Sequence, residues 1–93
     1  MGAEDDAVLG EARERLDEVD RRIVAALNER LELVRDLWRH KAAQGLPVLA
    51  PERERALLDR LAAENEGPLS EEGLREIYTE VLALMKRELG VEG

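Results

Sequence analysis

The stretch EARERLDEVDRRIVAALNERLELVRDLWRHKAAQ, Glu11 to Gln44, contains neither glycine nor proline. Apolar residues recur at helical spacing, from Leu9 and Ala12 through Leu16, Val19, Ile23, Ala26, Leu27, Leu33, Val34 and Leu37. Steps of three and four residues bring side chains onto one face of an α-helix. Gly45 and Pro47 stop the run. The pattern predicts one long helix over roughly 8–43.

One row of that helix is interrupted. Leu9, Leu16, Ile23, Arg30 and Leu37 follow one another at intervals of two helical turns. Four are apolar and Arg30 is a guanidinium. Burying an unpaired cation is costly, so a cation on a core-facing row needs an anion to meet it. Lys41 does the same in the row Leu27, Val34, Lys41. Two inward-facing cations point to an anionic ligand.

The helix also poses a problem of size. It is roughly 50 Å long, whereas a compact globule of this length would measure only about 30 Å across. A three-helix monomer would leave much of the apolar stripe in water. A second copy removes the conflict, with two long helices packed together and covered by the short helices of both chains. The expected assembly is an intertwined homodimer with two-fold symmetry. The alternative is a break near the middle of the helix, for which there is no glycine or proline.

Two shorter helices follow the 45–50 loop. Pro51 suits a first helical position, where its missing N–H costs nothing, and Glu52 and Glu54 favour the helix dipole. The core stripe is Glu54, Leu57, Leu58 and Leu61, and the helix ends near Asn65, before Gly67 and Pro68. Ser70 is the expected N-cap of the third helix, with Leu69 and Leu74 placed to form a hydrophobic staple. Its stripe is Leu74, Ile77, Tyr78, Val81, Leu82, Met85 and Leu89. Lys86 and Arg87 suit the dipole of the last turn, and Gly90 ends it. The fold class is therefore all-α, a single domain over 1–93 with helices over roughly 8–43, 51–65 and 70–89.

Composition narrows the function. Lys and Arg number 14 against 22 Asp and Glu, a net charge of −8, which argues against a nucleic-acid partner and against an anionic membrane. A small anion remains compatible, because a pocket can be basic on an acidic protein. The absence of cysteine removes disulfides and thiolate sites. No apolar run is long enough to span a bilayer. The opening Met-Gly-Ala-Glu-Asp-Asp lacks the basic and apolar regions of a signal peptide, so a soluble cytoplasmic protein is expected.

The residues that can carry chemistry are few. Arg13, Arg30 and Lys41 are separated along the helix axis by about 25 Å and 16 Å. Arg13 reaches a ligand at Arg30 only from a partner chain in an antiparallel pairing; alone it reads as a solvated arginine. Arg30 fits either a ligand site or an ion pair with a partner carboxylate such as Asp20. Lys41 near a helix end also suits the dipole. Arg53 and Glu54 can fold back toward Lys41, or lie on a solvated face. His40 reads as a surface residue and Trp38 as packing at the dimer interface. There is no Ser/His/Asp arrangement, no helical His pair for a metal, and no phosphate-cradling glycine loop.

Leu16-Asp17-Glu18-Val19-Asp20, Leu27-Asn28-Glu29-Arg30, Lys41, Gly45-Leu46-Pro47-Val48 and Pro51-Glu52-Arg53-Glu54 together resemble the all-helical class of chorismate mutases. The resemblance runs over roughly residues 9–89, in order and at matching separations. It implies an intertwined dimer of three-helix chains. It also implies the cofactor-free Claisen rearrangement of chorismate to prephenate, as part of aromatic amino acid biosynthesis in the shikimate pathway. By position, Arg30 would bind a substrate carboxylate and Arg13 would do so from the other chain. Lys41 would hydrogen-bond the ether oxygen, Arg53 would support the anionic end, and Glu54 would take the ring hydroxyl.

The chain departs from the family pattern in two places. Ala50 stands where many members have Asp. In the third helix, Met85 and Leu89 stand where the family has Ser and then Gln or Glu. A one-residue slip would offer Glu88 at the second position, but it would turn the apolar stripe by about 100°. The ungapped alignment leaves Lys41 alone at the ether oxygen and implies a weakened site. Two further readings stay open. One is a lyase that removes pyruvate from isochorismate. The other is a mutase-like helical dimer that regulates or docks to another shikimate-pathway enzyme.

Overall fold

The structure is a computed structural model and describes residues 6–91. It contains three helices, α1 (Ala7–Ala43), α2 (Pro51–Glu64) and α3 (Glu71–Glu88), and no strand among the described residues. The all-α architecture expected from the sequence is the one found. α1 runs its 37 residues as one helix, without the mid-helix break.

Local chemistry sets the helix ends. The Asp6 carboxylate accepts a hydrogen bond from the Val8 N–H at 2.8 Å, meeting one of the orphan donors at the start of α1. At the other end Gly45 takes φ 71°, a left-handed conformation open to glycine at little cost. Leu46 N–H then donates to the Lys41 carbonyl at 2.8 Å and Gly45 N–H to that of Ala42 at 3.1 Å, the two bonds of a Schellman motif. α3 ends identically, with Gly90 at φ 75°, Val91 N–H on Lys86 O and Gly90 N–H on Arg87 O. Pro51 opens α2 as expected. Ser70 caps α3, its hydroxyl accepting from Gly73 N–H at 3.0 Å. A Cβ on Gly73 would come within 3.0 Å of the Ser70 Oγ and 3.3 Å of Leu69 Cδ1, so the cap and Leu69 close over a residue with no side chain. Between α2 and α3, Asn65 holds the loop from both sides, accepting from Gly67 N–H and donating to the Leu69 carbonyl.

The chain divides into two compact units, one up to Leu33 and one from Val34 onward. The first consists of most of α1. Its apolar row lies open, with Leu16 60% and Ile23 52% exposed. Arg30 on that row is half-buried.

The second unit is built on α2 and α3, which pack against each other. Two ion pairs show their direction. Asp59 meets Arg75 and Glu54 meets Lys86, so an earlier residue on α2 faces a later one on α3, an antiparallel hairpin. Leu82 and Met85 are the buried core, with Leu57, Leu58, Leu61, Leu74, Tyr78 and Val81 half-buried around them. Ile77 departs from expectation, being exposed. It lies about 80° round the helix from Met85 and so falls at the edge of the stripe that α2 covers. Leu84, on the same flank, is exposed too.

Candidate active site

Lys41 is the third residue from the end of α1 and opens the Schellman motif that closes it. The turn that caps its carbonyl also brings the next loop back over its side chain. Val48 O lies 3.4 Å from Lys41 Nζ, and Lys41 is half-buried. That separation is long for a hydrogen bond, and an ammonium has three donors. The loop thus orients Lys41 while leaving it donor capacity for an incoming oxygen.

Glu54 lies in the first turn of α2, where its N–H donates to the Ala50 carbonyl. Its carboxylate is not left to solvent. Lys86 Nζ donates to Glu54 Oε1 at 2.8 Å, the two side chains being 22% and 28% exposed. Sequence reading gave Lys86 to the dipole of α3 and missed this contact, because the partners lie 32 residues apart. A signal was present in composition. The chain has 14 basic residues and almost all are arginine; the lysines are Lys41 and Lys86 alone. Both are half-buried, and both occupy the same position relative to a terminating glycine. Lysine is the compact cation on a flexible stem, suited to a single acceptor rather than to a forked carboxylate contact.

The remaining candidates fall elsewhere. Arg53 is exposed on α2, and among the described residues the Glu54 carboxylate meets Lys86 rather than Arg53 or Lys41. Arg13 and Arg30 belong to the N-terminal unit, where Arg13 is exposed.

In α3, Met85 is only 3% exposed and belongs to the hydrophobic core. Leu89 lines an open cleft of ≈ 440 Å³ together with Arg35, Trp38, Val48 and Glu88. Trp38 is half-buried within its own chain. Glu88 is exposed on that cleft, whose lining includes neither Lys41 nor Glu54. Among the described residues there is no cluster of His, Asp or Glu able to hold a metal. Nor is any helix among them long and apolar enough to cross a membrane.

Residues 12–88 match the model of the family described as chorismate mutase type II. The chain belongs to that family. It is 33% identical over 79 residues to the bifunctional chorismate mutase/prephenate dehydratase of Aquifex aeolicus, covering 81% of this chain and 22% of that protein. It is 40% identical over 80 residues to the T-protein of Haemophilus influenzae, covering 81% of this chain and 21% of that one. The chain thus spans about a fifth of the length of these two relatives. Among solved structures, one of chorismate mutase from Thermus thermophilus (form II) superposes with a TM-score of 0.81 at 34% identity. It covers 85% of this chain and 90% of the Thermus chain.

Proposed function

We propose that this protein is a chorismate mutase, an isomerase that converts chorismate to prephenate. The observation that supports it most is the half-burial of Arg30 and Lys41 on rows that are otherwise apolar. The reaction is an intramolecular Claisen rearrangement. One ether C–O bond breaks, one C–C bond forms, and no atom or proton is gained or lost. No nucleophile, metal or cofactor is required. What the site must do is hold a flexible dianion in its compact conformer, which is orientation, and stabilise charge growing on the ether oxygen, which is preorganised electrostatics.

In this reading Arg30 forks onto one substrate carboxylate. Arg13 of the partner subunit reaches the same molecule across a two-fold axis. Lys41 donates to the ether oxygen with the capacity that its long contact to Val48 leaves. Arg53 supports the anionic end of the pocket, and Glu54 accepts from the ring hydroxyl. The exposed row of Leu16 and Ile23 supports the intertwined dimer, since so much apolar surface on one helix face calls for a covering partner. Residues 1–93 then act as one helical domain of a cytoplasmic enzyme.

A second reading is a mutase-like dimer that docks to another shikimate-pathway enzyme. Met85 in the core, at a position where the family has a polar side chain, favours it. One assay separates the two. Purified protein is incubated with chorismate, alone and with candidate partner enzymes, and chorismate loss is followed against the uncatalysed background. Turnover that Arg30→Ala abolishes supports the enzyme; silence in every mixture leaves the docking role. Isochorismate offered to the same preparation tests the lyase.

A further inference from the structure

We propose that Lys86 is a positioning residue for Glu54, neutralising its carboxylate so that a site containing an acidic side chain admits a doubly negative substrate. The inference rests on the reading of this chain as a chorismate mutase and deepens it.

The difficulty it resolves is electrostatic. A glutamate suited to accept from a substrate hydroxyl carries a full negative charge beside a dianion, and like charges in a partly desolvated pocket repel strongly. The structure places a compensating charge where it is needed. Lys86 Nζ lies 2.8 Å from Glu54 Oε1, and both side chains are largely withdrawn from water, where screening is weak. An ionised carboxylate has about four lone-pair sites on its two oxygens. One ammonium at Oε1 therefore cancels the charge and still leaves acceptor capacity for a hydroxyl. The contact also fixes the rotamer of Glu54, because it bridges α2 and α3.

The backbone supports this placement. Lys86 is the residue whose carbonyl receives Val91 N–H in the Schellman motif ending α3, which holds its Cα in a defined turn. Its neighbour Met85 is anchored in the core. The sequence therefore provides one buried apolar anchor and, beside it, one cation aimed at α2. At positions 85 and 89, where the family has polar side chains, this chain has none; Lys86 is the charged group α3 supplies to Glu54.

Steady-state kinetics with chorismate test the proposal, using wild type, Lys86→Met, Lys86→Arg and the double variant Lys86→Met/Glu54→Gln, with helicity checked by circular dichroism. Repulsion by an unpaired Glu54 acts on bound substrate and transition state alike, so it raises KM and spares kcat. Lys86→Met is expected to raise KM on the order of 10–100-fold. Lys86→Arg restores it. Whatever Glu54→Gln itself costs at the substrate hydroxyl, the double variant, with no unpaired carboxylate, shows a KM about fivefold or more below that of Lys86→Met. If Lys86→Met loses its helicity, Lys86→Gln takes its place beside Lys86→Gln/Glu54→Gln, and a double variant whose KM is no lower than that of the single variant overturns the proposal. A Lys86→Met enzyme with wild-type KM, or a fall in kcat at fixed KM that the double variant does not relieve, overturns it as well. No turnover by the wild-type protein overturns the functional reading itself, which is a different result.

Discussion

Lys86 Nζ donates to Glu54 Oε1 across 2.8 Å, tying the last turn of α3 to the first turn of α2. The other end of the same hairpin carries its counterpart, where Arg75 meets Asp59 at 3.0 Å and Glu71 at 3.1 Å. The hydrogen bond to Asp59, and next that to Glu71, raise the pKa of the Arg75 guanidinium above its ordinary value. That end faces solvent, where an ion pair contributes little. The Lys86–Glu54 end is largely withdrawn from it, where removing one partner strands a charge. Asp59→Ala is accordingly expected to leave the urea midpoint unchanged within error, while Lys86→Met lowers it. Equal midpoints for the two variants would contradict the distinction.

If Arg13 serves the site of the partner subunit, Arg13→Ala and Arg30→Ala damage each site through different chains. Each variant alone is inactive. Unfolding and refolding an equal mixture produces heterodimers in which one site of the two is whole, so about a quarter of the wild-type activity returns. A mixture that stays silent while dimers form would place Arg13 outside the site.

In the proposed site Lys41 serves the ether oxygen without help from positions 85 and 89. Lys41→Ala is expected to lower kcat by ~10²–10³, with KM changing far less. A loss confined to KM would mean that Lys41 binds a carboxylate and leaves the breaking bond unassisted.

Met85, which the family resemblance aligns with a site position, lies in the core. Met85→Ala is therefore expected to cost about 2–4 kcal/mol in chemical unfolding at fixed protein concentration. If Met85 lined a substrate pocket instead, the substitution would alter KM and leave the unfolding midpoint in place.

Ser70 accepts from Gly73 N–H at the start of α3. Ser70→Ala is expected to destabilise the protein by about 1 kcal/mol with kinetics unchanged. Loss of activity at full stability would assign the hydroxyl another task.

The helices were legible because their signals are local. Thirty-four residues without glycine or proline fix α1, and Ser70, Gly45, Pro51 and Gly90 mark ends that depend only on nearby backbone groups. The exposure of Ile77 was not legible. Periodicity reports an apolar face, but how wide a face is covered depends on the neighbouring helix, and α2 reaches only part of this one. The Glu54–Lys86 pair escaped for a similar reason, because it depends on the register of an antiparallel hairpin across 32 residues. Arg30 and Lys41 stood out because each breaks an apolar row. Arg13 and Arg53 have no such contrast, since both lie on helix faces already rich in charge, and only the family resemblance gave each a definite role.

The most direct measurement is a crystal structure with a bicyclic dicarboxylate mimic of the rearrangement transition state. The account predicts one carboxylate forked by Arg30, the ether oxygen within hydrogen-bond reach of Lys41 Nζ, the hydroxyl on Glu54, and Arg13 of the partner subunit closing the site. Density for the mimic away from these side chains, or a protomer that binds it with no partner, would contradict it.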